Sequence, residues 1–204
     1  MNLGAIAGAY WLGVVLGTSP GPVQVLLVAE AARGGVARGL RAMVGANATF
    51  GGFLLALAFG VAALEPSPGA LRAIRIVGGA VLVAIAVSAF RERRRSLDAD
   101  PTVETRRPFV RGVVAVLVNP GLYLFLATTG AAVVAEGARR GGRGLALLVG
   151  AALLAGVVTT DALTVLLGAG SRRLPPRALE GFLDVAAIAL AGFGVALVVA
   201  GVRR

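Results

Sequence analysis

One ionisable residue stands inside a long apolar stretch of this chain. Asp161 lies in the run 150–167, whose other members are Ala, Leu, Val, Gly and Thr. A carboxyl group in such a run is costly unless it is paired or hydrated, which makes it a functional candidate. It could bind an ammonium group or carry a proton, and the alternative is a carboxyl group that only joins two helices. Three neighbouring hydroxyl groups are predicted to hydrogen-bond it: Thr159, Thr160 and Thr164.

A Pro-Gly-Pro motif interrupts the first apolar run. Pro20 and Pro22 lack the backbone N–H, so the carbonyls of Leu16 and Thr18 are predicted to lose their helical partners. In lipid such a break is tolerated only where the freed groups face protein or a wet cavity. Together with Gly21, the two prolines therefore predict a broken helix beside a polar pathway. The alternative is a packing kink.

A related motif, Asn119-Pro120-Gly121, lies in the fourth apolar run. Backbone donors exposed at the two breaks could hold an anionic group such as a carboxylate. Neutral polar side chains near the breaks could supply further hydrogen bonds, and some of them could equally form hydrogen bonds that only join helices. These neutral candidates are Gln24, Asn47, Thr49 and Asn119.

Four of the candidate positions are predicted to lie at one depth. At a rise of 1.5 Å per residue, they lie about 12 to 17 Å from the estimated cytoplasmic ends of their spans. That level is close to the middle of a hydrocarbon core about 30 Å thick. The four positions are Pro20, Asn47, Pro120 and Asp161, and their common level predicts one shared site.

Composition narrows the function classes. The chain is 57% hydrophobic with a mean hydropathy of +0.87, and it contains no Lys, His or Cys. Thiolate metal sites, disulfides and His-dependent nucleophiles cannot be built, so we predict no enzyme, no metal site and no cofactor. The net charge of +10 comes from Arg residues at the ends of apolar blocks. It predicts membrane topology and not nucleic-acid binding.

The apolar blocks predict an all-α membrane protein with six transmembrane helices in a single domain, 1–204. The Pro-Gly match between the halves suggests two inverted three-helix repeats with broken helices 1 and 4. Repeat one would cover about 1–90, a polar cytoplasmic linker about 91–108, and repeat two about 109–204. The predicted spans are 3–30, 39–64, 70–90, 109–135, 144–169 and 179–202.

Arginine counts predict the orientation. Connections one, three and five hold 13 of the 20 Arg residues, and the other side holds 7. The positive-inside rule places the richer side, including the 91–108 loop, in the cytoplasm, so both termini would face outward. No Lys or Arg precedes Arg33, and the first block is therefore interpreted as a retained span.

Two further features are predicted to be structural. Gly13, Gly17 and Gly21 recur every fourth residue, which favours a close-packed helix face. Glu30, beside Arg33, is predicted to form an ion pair at the membrane interface.

Taken together, these residues resemble the lysine exporter (LysE) family, including its homoserine/threonine-efflux branch. The resemblance covers nearly the whole chain. The features that carry it are Pro20-Gly21-Pro22, the Gly34-Gly35…Gly39…Gly45 series, Asn119-Pro120, Asp161 and Gly192-Phe193-Gly194.

The resemblance implies a multi-pass exporter in a bacterial inner membrane, moving amino acids or similar small solutes and driven by the proton gradient. Its partners would be a small-molecule substrate, the lipid bilayer and protons, and a homo-oligomer is left open. Two alternatives remain at this point. One is an exporter of another solute, such as a metal ion, and the other is a membrane scaffold or accessory protein that transports nothing.

Overall fold

The structure is a computed structural model. It describes residues 3–19, 21–59, 107–173 and 175–203, with positions 69, 72–73, 76–77, 79–81, 83–84 and 86–87. These residues form helices and short connections and contain no strand, which confirms the all-α prediction. The predicted break residue Pro20 and most of the predicted polar linker, 91–106, lie outside the described residues.

The described chain is followed through six α-helices. They are α1 Leu3–Thr18, α2 Pro22–Ala58, α3 Arg107–Leu117, α4 Pro120–Phe125, α5 Ala131–Gly170 and α6 Pro176–Val202. A π-helical turn, Leu126–Gly130, joins α4 to α5, and a 3₁₀ turn, Ser171–Arg173, follows α5. The described positions between 69 and 87 are also helical.

Helix α2 turns back on itself at a pair of glycines. Gly34 and Gly35 leave helical geometry, and Gly35 has φ 73° and ψ −171°, a region that is essentially restricted to glycine. Leu27 and Ala42, equally far from the pair on either side, share one buried cluster. The two arms are therefore antiparallel. The first arm is 22–33 and the second arm is 36–58.

Helix α5 contains the same kind of reversal. Gly141 and Gly142 leave helical geometry, and Gly142 has φ 63° and ψ −164°. Beyond the pair, Ala146 packs closely on Gly137. The first arm is 131–140 and the second arm is 143–170.

Two segments are long and apolar enough to cross a membrane, Pro22–Ala58 and Gly121–Arg173. Each contains one of the glycine reversals, so each folds as a hairpin and not as one straight rod. The predicted second and fifth spans, 39–64 and 144–169, correspond to the second arms of α2 and α5. The predicted spans left a connection between helices at both glycine pairs. In the structure each connection is very short, because the helices on either side extend almost to the glycines.

Glycines allow α1 to cross the second arm of α5 at backbone contact. Gly13 lies against the backbone of Leu153, Gly17 lies against Thr160, and Gly156 lies against the backbone of α1. A side chain at any of the three glycines would overlap its neighbour. The predicted close-packing face is confirmed for Gly13 and Gly17.

Helix α3 crosses the second arm of α2 in the same manner. Gly112 of α3 and Gly45 of α2 each lie directly against the backbone of the other helix. A third close approach joins Gly79 to Gly194 of α6. Glycine contacts thus hold together parts of the chain that are far apart in sequence.

The interruption after α1 does not reverse the chain. Gly17 of α1 contacts Thr160 of α5, and Val28 of the first arm of α2 contacts Gly168 of α5. From the first of these contacts to the second, the residue number increases both along the N-terminal segment and along α5. Helix α1 and the first arm of α2 therefore follow α5 in one direction, as two pieces of one interrupted helix.

The described surface and interior reverse the polarity of a water-soluble protein. Large apolar side chains face the surroundings, such as Trp11 at 64% and Leu167 at 76% exposure. Several polar or charged side chains are buried instead: Glu30, Asn47, Arg111, Thr160 and Asp161. This distribution suits a lipid environment, where apolar contact costs nothing and polar groups need internal partners.

The described connections gather at two ends of the bundle. The Arg172 guanidinium lies beside Gly35, so the reversal of α2 and the end of α5 share one end. The first turns of α3 reach the same end, because Arg111 bonds to the arm of α2 that precedes the reversal. At the other end, Arg143 lies over the Phe59 ring at 5.2 Å, which joins the reversal of α5 to the end of α2.

Candidate functional site

Asp161 is buried between both arms of α2. It is 1% exposed. Its Oδ2 accepts a 2.7 Å hydrogen bond from Asn47 Nδ2, and its Oδ1 accepts a 3.4 Å hydrogen bond from Gln24 Nε2. Two amide groups from one hairpin thus hold the carboxyl group of another helix.

The predicted hydrogen bonds from neighbouring threonines to Asp161 are wrong. Thr159, Thr160 and Thr164 each donate to a backbone carbonyl about one turn earlier in α5, at 2.8 to 2.9 Å. A hydroxyl in a helix interior commonly bonds back to its own helix in this way. The partners of Asp161 come from another helix instead.

Two carbonyls on the upstream side of the first helix break accept hydrogen bonds. The carbonyl of Leu16, predicted to lose its partner, accepts a 3.2 Å hydrogen bond from the backbone N–H of Ser19. Because proline at position 20 has no N–H, this carbonyl lacks its usual i+4 donor, as predicted, and a tighter i→i+3 bond replaces it. The carbonyl of Gly17 accepts a 3.1 Å hydrogen bond from Gln24 Nε2. Gln24 therefore ties the break to Asp161.

The second helix break is built on the same plan. Asn119 Oδ1 accepts a 3.1 Å hydrogen bond from the Gly121 backbone N–H and so caps α4. The Tyr123 hydroxyl donates to the carbonyl of Leu117 at 2.8 Å. At each break, a side chain six or seven residues downstream thus satisfies a carbonyl on the upstream side. The Asn119 side chain therefore caps its own helix, and this bond does not join two helices.

A cavity of about 450 Å³ lies where the two breaks approach Asp161. That volume is within the usual range for sites that hold small molecules. Seven of the nine predicted site residues line it: Gly21, Pro22, Gln24, Asn47, Asn119, Gly121 and Asp161.

The remaining candidates lie elsewhere. Pro120 is the first residue of α4, between two residues of the cavity lining, and Pro20 lies outside the described residues. Thr49 is absent from the lining, and its hydroxyl donates to the Gly45 carbonyl at 2.9 Å. Its predicted part in the site is not supported by this geometry.

Sequence reasoning missed the apolar half of the lining. Phe50 of α2, and Phe193 and Ala196 of α6, face the cavity. Further apolar liners are Leu16, Val23, Ala46, Val116, Leu122 and Val157. Residue type gave no signal for them, because apolar side chains that line a cavity resemble those that fill a core. Phe193 was noticed only as part of Gly192-Phe193-Gly194.

The cavity has a simple chemical character. Asp161 supplies the one ionisable side chain among the described lining residues, and Gln24, Asn47 and Asn119 supply amides. No Arg is among them. In the described part of the chain, no three His, Cys, Asp or Glu side chains form a metal-binding group. The lining suits a small molecule that has a cationic or proton-donating group and an apolar body.

A second buried carboxylate lies outside the cavity, on the side of the α2 reversal. Glu30 is 1% exposed and bonds to Arg38 Nε at 2.6 Å and to Arg111 Nη1 at 2.7 Å. The predicted ion pair exists, but it is buried and joins both arms of α2 to α3. The prediction placed the ion pair of Glu30 at the membrane interface, whereas the structure buries Glu30 inside the protein.

These features define the class of protein. Apolar side chains cover the outside, two interrupted helices meet around a buried carboxyl group, and a small-molecule cavity lies between them. This is the architecture of a membrane transport protein, in which irregular backbone at depth lines a cavity.

The family comparison narrows the class. Residues 14–201 match the model of the LysE type translocator family. Because the match spans nearly the whole chain, the chain belongs to this family, and it is a membrane exporter. Neither the comparison with curated proteins nor the comparison with solved structures gives a match.

Proposed function

We propose that this protein exports amino acids or related small solutes across a bacterial inner membrane, coupled to protons. The observation that carries the proposal is the cavity between the two helix breaks, with Asp161 buried at its wall and amides around it. A buried ionisable group beside a polar pathway in a membrane protein is the usual position of a relay or substrate contact.

Each part of the cavity has a proposed role. Asp161 receives the ammonium group of the substrate or the coupling proton. The first backbone N–H groups of α2 receive an anionic group, because the N-cap residue Gly21 has no side chain that could cap them. The start of α4 is a poorer anion site, because Asn119 Oδ1 already occupies the Gly121 N–H. Phe50 and Phe193 contact the apolar part.

We also propose that the chain is one domain made of two inverted three-helix repeats, about 1–90 and 109–204. Three observations support this. Both halves contain a helix break followed by a glycine reversal of nearly equal φ and ψ. The first helix of each half crosses the post-reversal arm of the other half at glycines, and Gly79 meets Gly194. A two-fold relation between the halves explains all three.

The proposed orientation puts the end that carries the α2 reversal, the start of α3 and the end of α5 in the cytoplasm. That end holds the larger share of arginines, as the positive-inside rule requires. Both termini, and the α5 reversal, would then lie outside.

Efflux from cells preloaded with labelled amino-acid pools tests the function. We expect proton-dependent efflux from the intact protein, and its loss in Asp161→Asn at equal membrane abundance. Glu136→Gln is a control, because it removes a partly exposed carboxylate in the first arm of α5 that is not part of the cavity lining.

Each other result has a clear meaning. Unchanged efflux in Asp161→Asn would remove Asp161 from the pathway and reduce it to a contact between helices. Absence of amino-acid efflux from the intact protein would reject amino acids as substrates. The same preloading experiment with amines, other organic solutes and divalent metal ions would then decide between another cargo and none.

A further inference from the structure

The two helix breaks leave corresponding backbone carbonyls in need of a donor. An unbroken helix would pair the Gly17 carbonyl with the N–H four residues later, at Gly21. The same count pairs the Leu117 carbonyl with the N–H of Gly121. In the structure, a side chain of the following helix donates to each carbonyl. The breaks therefore share one requirement, and the two side chains that meet it can be compared.

The two donors differ in what else they reach. At the second break the Tyr123 hydroxyl donates its single hydrogen to the Leu117 carbonyl at 2.8 Å, and Tyr123 is absent from the cavity lining. At the first break Gln24 Nε2 carries two hydrogens. It donates to the Gly17 carbonyl at 3.1 Å and to Asp161 Oδ1 at 3.4 Å. Of the two breaks, the first is thus the one whose donor also holds the carboxyl group.

The charge of Asp161 fixes the direction of the Gln24 amide. While the carboxyl group is ionised, both groups that face Nε2 are acceptors, so the nitrogen and not the oxygen has to point at them. A hydrogen bond to an ionised carboxylate is roughly twice as strong as one between neutral groups. The described lining contains no other charged side chain, and the buried cluster of Glu30, Arg38 and Arg111 lies outside it. Asp161 is thus the lining group whose change of charge this amide detects.

A neutral Asp161 reverses the preferred direction of the amide. The 2.7 Å bond from Asn47 Nδ2 keeps Oδ2 as an acceptor, so an added proton occupies Oδ1, the oxygen with the longer bond. The new O–H faces Gln24, and the amide oxygen accepts it once the amide turns over. This turn takes Nε2 away from the Gly17 carbonyl, because the amide nitrogen and oxygen exchange places. Two acceptors would then face each other across the break.

We propose that Gln24 is a positioning residue that couples the protonation of Asp161 to the helix break between α1 and α2. With the carboxylate ionised, the amide ties the two sides of the break together. With the carboxyl group neutral, the amide turns and releases the Gly17 carbonyl. The second break does not respond, because its bonds from Tyr123 and to Asn119 do not involve Asp161. The inference rests on the proposed export function and deepens it by naming the residue through which the proton acts.

Cysteine reactivity in the purified full-length protein tests this coupling, because the chain contains no Cys. Val23→Cys places a half-buried reporter in the first turn of α2, beside the first break. Leu122→Cys places a half-buried reporter in α4, beside the second break. Both positions line the cavity. Each reporter is reacted with methyl methanethiosulfonate, alone and together with Asp161→Asn, which imitates the neutral acid because an N–H donor replaces one carboxylate oxygen.

Asp161→Asn should raise the reaction rate of Val23→Cys by at least about twofold, the lower end of the coupling between groups in contact. It should leave the rate of Leu122→Cys unchanged. In Gln24→Met, which keeps the chain length and removes the amide, Val23→Cys should already react at the raised rate, and Asp161→Asn should add nothing. Tyr123→Phe is the matched control. It removes the donor of the second break and should keep the full effect of Asp161→Asn on Val23→Cys.

Three results would each overturn the inference. They are an unchanged rate at Val23→Cys, an equal rise at both reporters, or a full effect of Asp161→Asn in the Gln24→Met background. A merely structural Gln24 gives the last result, since its loss would loosen the protein without removing the response to Asp161. If Gln24→Met does not fold, the comparison of the two reporters decides. The reporters need no substrate, so their failure leaves the efflux result standing, whereas absence of efflux would reject the proposed function and not the coupling at the break.

Discussion

At the scale of single residues, two buried carboxyl groups have different surroundings. Among the described residues, Asp161 accepts hydrogen bonds from two neutral amides and lines a cavity, whereas Glu30 pairs with two guanidinium groups. An acid held by neutral groups can exchange a proton or a cationic ligand without leaving fixed charges unpaired. Glu30 is instead the shared ion-pair partner of Arg38 and Arg111, in a buried cluster that joins both arms of α2 to α3. We therefore expect Glu30 to contribute to stability, and the proposed transport role falls to Asp161.

Glu30→Gln tests the structural role. Removing one partner of a buried ion pair typically costs about 3 to 5 kcal/mol, because the remaining charges stay buried. We expect a loss of that order in the free energy of unfolding, measured by denaturant titration of the purified protein.

Glu136→Gln is the matched control for this measurement. Glu136 pairs with Arg139 and Arg140 on the surface of α5, where both arginine side chains are more than half exposed. Exposed pairs contribute about 0 to 1 kcal/mol. Equal effects of the two substitutions would contradict the distinction between a buried pair and a surface pair.

At the scale of helices, the glycine reversals decide the path of the chain. Gly35 and Gly142 adopt a backbone region that is costly for any residue with a Cβ. Gly142 has open space where a Cβ would lie, whereas at Gly35 a Cβ would meet the Arg172 guanidinium. Backbone strain can therefore be measured by itself at Gly142.

Gly142→Ala should destabilise the protein by about 1 to 3 kcal/mol, because no clash adds to the backbone strain. Gly144→Ala is the control, since Gly144 is helical and also has open space around it. That change should be neutral or stabilising by up to about 1 kcal/mol, since alanine favours helix. Thermal unfolding of both variants measures the difference, and equal midpoints would contradict a strained reversal.

At the scale of the whole molecule, connections that lie at the same end of the bundle are on the same side of the membrane. The contacts of Gly35 with Arg172, and of Arg143 with Phe59, place the described connections at two opposite ends. The side of the membrane that each end faces depends on the arginine distribution and not on these contacts.

Single-cysteine variants test the orientation without further changes to the sequence, because the chain contains no Cys of its own. Arg139→Cys, at an exposed position near the α5 reversal, should react with a membrane-impermeant maleimide in intact cells. Arg173→Cys, an exposed position at the other end, should react only after the inner membrane is permeabilised. The opposite pattern would invert the proposed topology.

Much of this protein was predictable from local chemistry. Apolar blocks, prolines and glycine pairs act within a few residues, and they predicted the helix breaks, the connections at both reversals and the choice of Asp161 as a candidate site residue. Asn47 and Gln24 were candidates because polar side chains are rare in such blocks. Local rules could say that these residues need partners, but not which partners.

Only the packing of helices that are distant in sequence decided the partners. It assigned Gln24 and Asn47 to Asp161 and returned the three threonines to their own helix. It buried Glu30 between Arg38 and Arg111, and it put Phe50 and Phe193 at the cavity. The physical reason is that the sequence periodicity of a helix defines its faces, whereas the helix that covers each face depends on close approach at distant glycines such as Gly13, Gly45, Gly112 and Gly156.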